Sequence, residues 1–434
     1  VRPLRLCACL GWLLGAACAS APTQRPTPAP QTEDTAAPAA QDPQAPETPP
    51  AEAAPEAAAA PAPPASVPPD AQSRADFEQA VGVAQRGEWE TAERGLEALL
   101  KTNPTLDYAW TNLGVVRERK GKLEQAERAY RKALELKPDQ EAAWDYLARL
   151  FCRTGRAPAI EAELRQKLEA RPDAITLRAA LAFTLLHQGK LDAASAEAKR
   201  ALKVDERHVK SMQVLAQVYS LEKKHELAHM VLENALAIAP QDAATHNALG
   251  VVQLTLNARA QALESFKHAV QLRPDFAEAR NNHGALLNET QDYASAVKEL
   301  EAAVKSAADF ASARLNLGNA YRGLGQFAQA RSEYEQALKL QPTLTDALFN
   351  LAILYLDLEP EGLDTLERFQ TSIAFFEKYR AQGGKDERVD QYLKDARKGI
   401  DREERRRERE KRAPVGNSLT SPPNSGKLAT DSQK

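Results

Sequence analysis

Along the middle of the chain, large apolar residues recur at helical spacing, and small residues recur at fixed longer intervals between them. In Trp110-Thr111-Asn112-Leu113-Gly114 and on to Arg117, the apolar and small positions fall three and four apart, which places them on one face of a helix. Ala126, Tyr130 and Ala133 mark one face of a second helix. Gly121-Lys122 lies between the two, and Gly189-Lys190 repeats the signal later, so the pattern predicts pairs of helices joined by short turns.

The pair recurs every 34 residues. Prolines stand at 104, 138, 172, 240, 274 and 342, and the two remaining places of the series hold Glu206 and Ala308. Counted from Ser73, eight units end at Leu344. The eighth place of each unit is Gly or Ala: Ala80, Gly114, Ala148, Ala182, Ala216, Gly250, Gly284, Gly318 and, in a ninth unit, Ala352. The twentieth place is alanine in every unit but the third, where Ile160 stands. Helix axes approach to about 8–10 Å only over small side chains, so these places are the predicted contacts within each pair. The proline ends the second helix and sets the angle to the next unit. A fixed period of this length is the mark of a stacked array.

This pattern resembles the tetratricopeptide repeat family over residues 73 to about 378. The resemblance implies an all-α, right-handed superhelical solenoid of helix hairpins, with the first helix of each pair lining the concave face. Ile160, Lys167 and Pro158 weaken the third unit. Residues 345–400 read as a degenerate ninth unit and a capping helix. That unit carries an insertion around Glu359-Pro360-Glu361-Gly362 and resumes with Ile373, Phe376 and Tyr379. The cap is marked by Val389, Leu393, Ala396 and Ile400, since the open end of a solenoid needs covering.

The two ends differ from the array. Residues 1–18 read as a signal peptide: two arginines, then the apolar run Leu6 to Ala17. Leu14-Gly15-Ala16-Ala17-Cys18 resembles a bacterial lipobox, which implies lipidation of Cys18; cleavage after Ala19 is the alternative. Residues 19–72 hold 15 prolines, 18 alanines, no aromatic residue and a net charge of −6, and read as a disordered linker. Residues 401–434 read as a charged helix extension, Asp401 to Arg412, followed by a disordered tail. The expected location is the periplasmic face of the outer membrane, with the soluble periplasm as the alternative.

Composition narrows the function. With 57 Lys and Arg against 60 Asp and Glu, the chain lacks the basic surplus of a nucleic-acid binder, and no nucleic-acid partner is expected. No apolar run reaches the ~18 residues of a membrane-spanning helix. Of the four cysteines, Cys7 and Cys9 leave with the signal and Cys18 takes lipid, which leaves Cys152 as a small core residue. His225-Glu226-Leu227-Ala228-His229 matches the HExxH zinc-protease pattern. The repeat explains it better, because Ala228 is the twentieth-place alanine of the fifth unit and no third ligand follows at a suitable spacing. No phosphate loop or nucleophile constellation is present, so neither catalysis, metal, cofactor nor small-molecule substrate is expected.

Asparagine is the better signal. The sixth place holds Asn112, Asn282, Asn316 and Asn350, and Asn247, Asn281, Asn288, Asn319 and Arg322 add polar groups to the stretch from 243 to 356. A side-chain amide offers both a donor and an acceptor to a peptide backbone. Units about 10 Å apart match about three residues of extended chain at ~3.3 Å each. A groove for an extended segment of a partner is therefore one expectation, and amides bonded locally or to water is the other. The layout of signal, lipobox, linker and array is similar to bacterial envelope lipoproteins of this family. One kind serves myxobacterial adventurous gliding motility, and another, the pilotins, helps pilus secretins assemble. That likeness implies envelope proteins as partners on the concave face and membrane attachment through Cys18. A cofactor that recruits cell-wall enzymes and an HExxH metallopeptidase are the alternatives.

Overall fold

The structure is a computed structural model, and it describes residues 70–412 except 358, 360 and 361. The expected signal peptide, Cys18, the linker up to residue 69 and the tail from 413 lie outside the described residues.

All regular structure among the described residues is helical. The first four units comprise α1 (Ala71–Gln85) and α2 (Trp89–Thr102), α3 (Asp107–Arg119) and α4 (Leu123–Leu136), α5 (Glu141–Arg153) and α6 (Ala157–Ala170), and α7 (Ile175–His187) and α8 (Leu191–Val204). The next four comprise α9 (Val209–Leu221) and α10 (His225–Ile238), α11 (Ala243–Thr255) and α12 (Arg259–Leu272), α13 (Ala277–Glu289) and α14 (Tyr293–Ser306), and α15 (Ala311–Gly323) and α16 (Phe327–Leu340). The ninth unit is α17 (Thr345–Asp357) with α18 (Thr365–Ala381), and α19 (Val389–Arg412) closes the array. Helix α1 opens at Ala71, two residues inside the expected linker, because the Asp70 carboxylate accepts from the Ser73 N–H and caps it.

Each hairpin closes on the predicted small residues, with a coupling the repeat alone does not reveal. A Cβ added at Gly114, Gly250 or Gly318 would stand 2.4–2.6 Å from the ring of Tyr130, Phe266 or Tyr334. In these three units glycine faces a buried ring sixteen places on, and in the seventh Gly284 faces Leu300 as closely, while Ala80, Ala148 and Ala216 share their units with Leu96, Leu164 and Leu232 at that same place. Turns between the helices need a left-handed residue. Gly121, Gly155, Gly189 and Gly325 supply it at φ 73°, but Lys223, Asn257 and Gln291 adopt φ 61–64° at the same place of units 5, 6 and 7.

Units are stapled to one another by the fourth place. Trp110 and Trp144 donate to the carbonyls of Pro104 and Pro138 at 2.8 and 3.0 Å, and Arg314 reaches Ala308 O at 3.2 Å. First helices of neighbouring units touch one another along most of the stack, whereas no two consecutive second helices make a comparable contact. The array therefore bends toward its first helices, which form the inner, concave side. The bend is tight: Arg119 at the end of α3 donates to Ser306 O at the end of α14, 3.2 Å away and 187 residues on.

The departures have local causes. Ile160 wedges α5 from α6, so α5 leans on α7 instead. Pro158 sits in the first turn of α6, where a missing N–H costs nothing, and Lys167 lies 5.7 Å from the Trp144 ring centroid. In the ninth unit, buried Arg368 reaches back to the last carbonyls of α17, Tyr355 O at 3.2 Å and Leu356 O at 3.0 Å, and Phe376 is fully buried. Val389, Leu393 and Ala396 of α19 are buried against this end. The charged run 401–412 continues α19 without a break, and its first half is docked. Buried Glu403 holds Arg406 and Arg407, and Arg407 also pairs with Asp364, the cap of α18.

Candidate partner-binding face

The concave side has two chemically distinct stretches. In units 3 to 5 it forms a small, open recess lined by Asp145 and Arg149 of α5, Phe183 of α7, and Lys210, Gln213 and Gln217 of α9. The Arg149 guanidinium lies 4.5 Å from the Phe183 ring centroid and 3.0 Å from Asp145, and half its side chain stays exposed. Burial works to raise the Asp145 carboxyl, but Arg149, Lys210 and Arg273 outweigh it and hold the group below its usual value. Arg273 lies just past α12, so the far wall of the superhelical turn also faces this recess. None of these residues stood out in the sequence. The signal available was a repeat-register alignment showing Asp145, Arg149, Phe183 and Lys210 all at inward places.

In units 6 to 9 the inner side is laced with amides. Asn282 donates to Asn247 at 3.0 Å, Asn316 to Asn281 at 2.9 Å and Asn350 to Asn319 at 2.9 Å, each bond joining two neighbouring units. Asn288 donates to Asn316 O at 2.9 Å, and Tyr334 donates to Asn319 at 2.8 Å. Gln213 extends the series into unit 5, donating to Thr245 Oγ1 at 2.8 Å and to Asp242 at 2.6 Å.

Burial divides the expected groove residues. Asn281, Asn288, Asn316 and Asn319 are buried, and their amides serve the joints between units rather than standing open to a ligand. Of the expected groove residues, these four are thus engaged in joints between close-packed helices. Asn247, Asn282, Asn350 and Arg322 remain partly exposed on the inner side. Arg322 lies 3.8 Å from Asp357 across the next joint. Asn112 bonds within its own helix, to Tyr108 O at 2.8 Å.

Of the other singled-out residues, Cys152 is buried with a free thiol that burial pushes up to about 11. His225 opens α10, Ala228 is fully buried, and His229 lies 3.4 Å from Glu233. Among the described residues, no group of three or more His, Cys, Asp or Glu is placed to hold a metal ion, and no helix is long and apolar enough to cross a membrane.

Family models described as Tetratricopeptide repeat match residues 108–140 and 247–312, and one described as TPR repeat matches 318–358. Models of the tetratricopeptide repeat thus match three separate stretches of the helical array. No curated protein matches this repeat protein in sequence. Among solved structures it is similar to the one titled "Crystal structure of APC/C hetero-tetramer Cut9-Hcn1", 17% identical with a TM-score of 0.58 over 71% of this chain. That likeness is one of fold, and this chain spans 58% of the length of the other. The structure of YrrB, titled as a TPR protein with an unusual peptide-binding site, is 23% identical with a TM-score of 0.34, covering 43% of this chain and 95% of its own.

Proposed function

We propose that the chain is an exported, lipid-anchored scaffold that gathers cell-envelope proteins along its concave face, as part of a surface machine of the gliding-motility kind. The reading of residues 1–18 as a signal with a lipidated Cys18 supports export, and the Pro/Ala-rich linker gives the array reach from the membrane. That linker favours this role over a pilotin-like one. The observation that carries partner binding is the recess of units 3 to 5, where a half-exposed guanidinium stacked on Phe183 lies beside Lys210 and the amides of Gln213 and Gln217. Such a set binds an extended segment by stacking and by hydrogen bonds to its backbone. Asn247, Asn282, Asn350 and Arg322 continue the polar lining toward the other end of the groove.

A tagged pull-down from detergent-solubilised envelope tests this. Arg149→Glu with Phe183→Ala is expected to lose the partner, while Met230→Asp, at a 58% exposed position on the second-helix side, keeps it. The reverse pattern would contradict the concave assignment. Cys18→Ala is expected to remove the acyl anchor, so that high salt releases the protein from membranes, without touching partner affinity.

A further inference from the structure

Helix α19 carries a feature that neither the repeat nor the groove uses. Its buried line is Val389, Leu393, Ala396 and Glu403. Turned away from that line, Lys394, Lys398, Arg402, Arg405, Arg409 and Arg412 fall at spacings of three and four and are all exposed. At ~100° per residue these six occupy a strip about 80° wide, centred opposite the packed side, and at ~1.5 Å per residue it runs about 27 Å. No acidic, aromatic or large apolar residue interrupts it; Asp395 and Asp401 stand at its margins. The pairs it makes are long and solvated: Lys398 to Asp395 at 3.8 Å and Arg412 to Glu408 at 3.7 Å. Arg402 and Arg409 have no ion-pair partner among the described residues. The buried Val389, Leu393 and Ala396, together with the Arg407–Asp364 pair, fix which side of the helix faces outward.

We propose that this strip of α19 rests on the surface of an anionic lipid bilayer. A straight row of six cations matches a flat surface of densely spaced negative charge, and clusters of this size on an amphipathic helix are sufficient for such adsorption. The absence of apolar and aromatic residues from the strip means that the helix lies on the headgroups without inserting, and it offers no platform for stacked bases. The chain's own linker is a poor occupant, since residues 19–72 carry only seven acidic residues in 54 positions. The contact places the last unit of the array against the membrane. It is independent of the groove and of Cys18.

The test is co-sedimentation of the full chain carrying Cys18→Ser, so that acylation plays no part, with phosphatidylcholine vesicles with or without about 30% phosphatidylglycerol. Binding is expected to the anionic vesicles alone and to vanish at high salt. At about fivefold per cation removed, Arg402→Glu with Arg405→Glu and Arg409→Glu is expected to weaken binding about a hundredfold or more. Lys101→Glu with Lys203→Glu and Lys339→Glu makes the same change in net charge on the solenoid body and is expected to leave binding in place. Circular dichroism checks that both variants stay helical. Equal binding to neutral vesicles, wild-type binding by the α19 variant, an equal loss in the solenoid variant, or binding only to single-stranded DNA or an acidic peptide would each overturn the proposal.

Discussion

Units 2 to 5 and units 6 to 9 repeat one backbone motif but join their members with different chemistry. In the first stretch a single apolar cluster runs from Ala126 to Val218 through Trp144, Leu147, Leu177, Leu181 and Leu185. In the second the apolar core is divided among several smaller clusters, and the joints between first helices add the amide pairs Asn281–Asn316, Asn319–Asn350 and Asn247–Asn282. The turns vary along the array without following that division. Units 5, 6 and 7 place Lys223, Asn257 and Gln291 where units 2, 3, 4 and 8 have glycine. A 34-residue period thus fixes where helices meet, not what holds them. Apolar joints contribute through burial, whereas an amide pair contributes little net but penalises any change that leaves one partner buried alone.

The largest effect expected from single changes lies in the apolar stretch. Leu181→Ala empties a site at the centre of the long cluster and is expected to lower unfolding stability by roughly 3–4 kcal/mol in a urea titration. In the amide stretch, Asn316→Ala strands the buried Asn281 carbonyl and is expected to lose about 2 kcal/mol. Adding Asn281→Ala should then cost far less than it does alone, and simple additivity would show that the pair does not couple.

The joint between units 1 and 2 is a third kind. Glu93 of α2 is buried and paired with Lys120 and Lys122 at 2.7 and 2.9 Å. Burial opposes ionisation, yet the two ammonium groups bring its carboxyl down to about 2 from the usual 4.5. A folded-state value below the unfolded one gives stability that is present at neutral pH and is lost as pH falls from about 4.5 to about 2. Glu93→Gln is expected to lose about 1–2 kcal/mol at pH 7, with the gap to wild type closing across that acid range. The smallest effect belongs to the turns: Lys223→Gly relieves a left-handed backbone and is expected to gain about 1 kcal/mol, whereas Gly189→Lys should lose as much.

Much of the fold was legible because its signals recur. The prolines at intervals of 34, the alanines from Ala92 to Ala330 and the turn glycines located every unit, and Val389, Leu393 and Ala396 located the cap. What stayed hidden depends on pairs. Glycine at 114, 250 and 318 is set by the ring sixteen residues on, and the asparagines pair across 31 or 35 residues, just off the repeat period. A list of inward-facing asparagines could not separate those that bond to each other from those left on the surface. The recess at Arg149 and Phe183 escaped for a related reason, since it is assembled from three units and faced by Arg273 from a later one.

Native-state hydrogen exchange on the intact chain, resolved by helix, tests the contrast between the two stretches most directly, because a repeat array opens unit by unit. The account predicts that the amides of α5, α7 and α9 exchange only at the highest opening free energies, and that α11, α13 and α15 open before them. Uniform protection along the array, or earlier exchange in α5 and α7 than in α13 and α15, would contradict it.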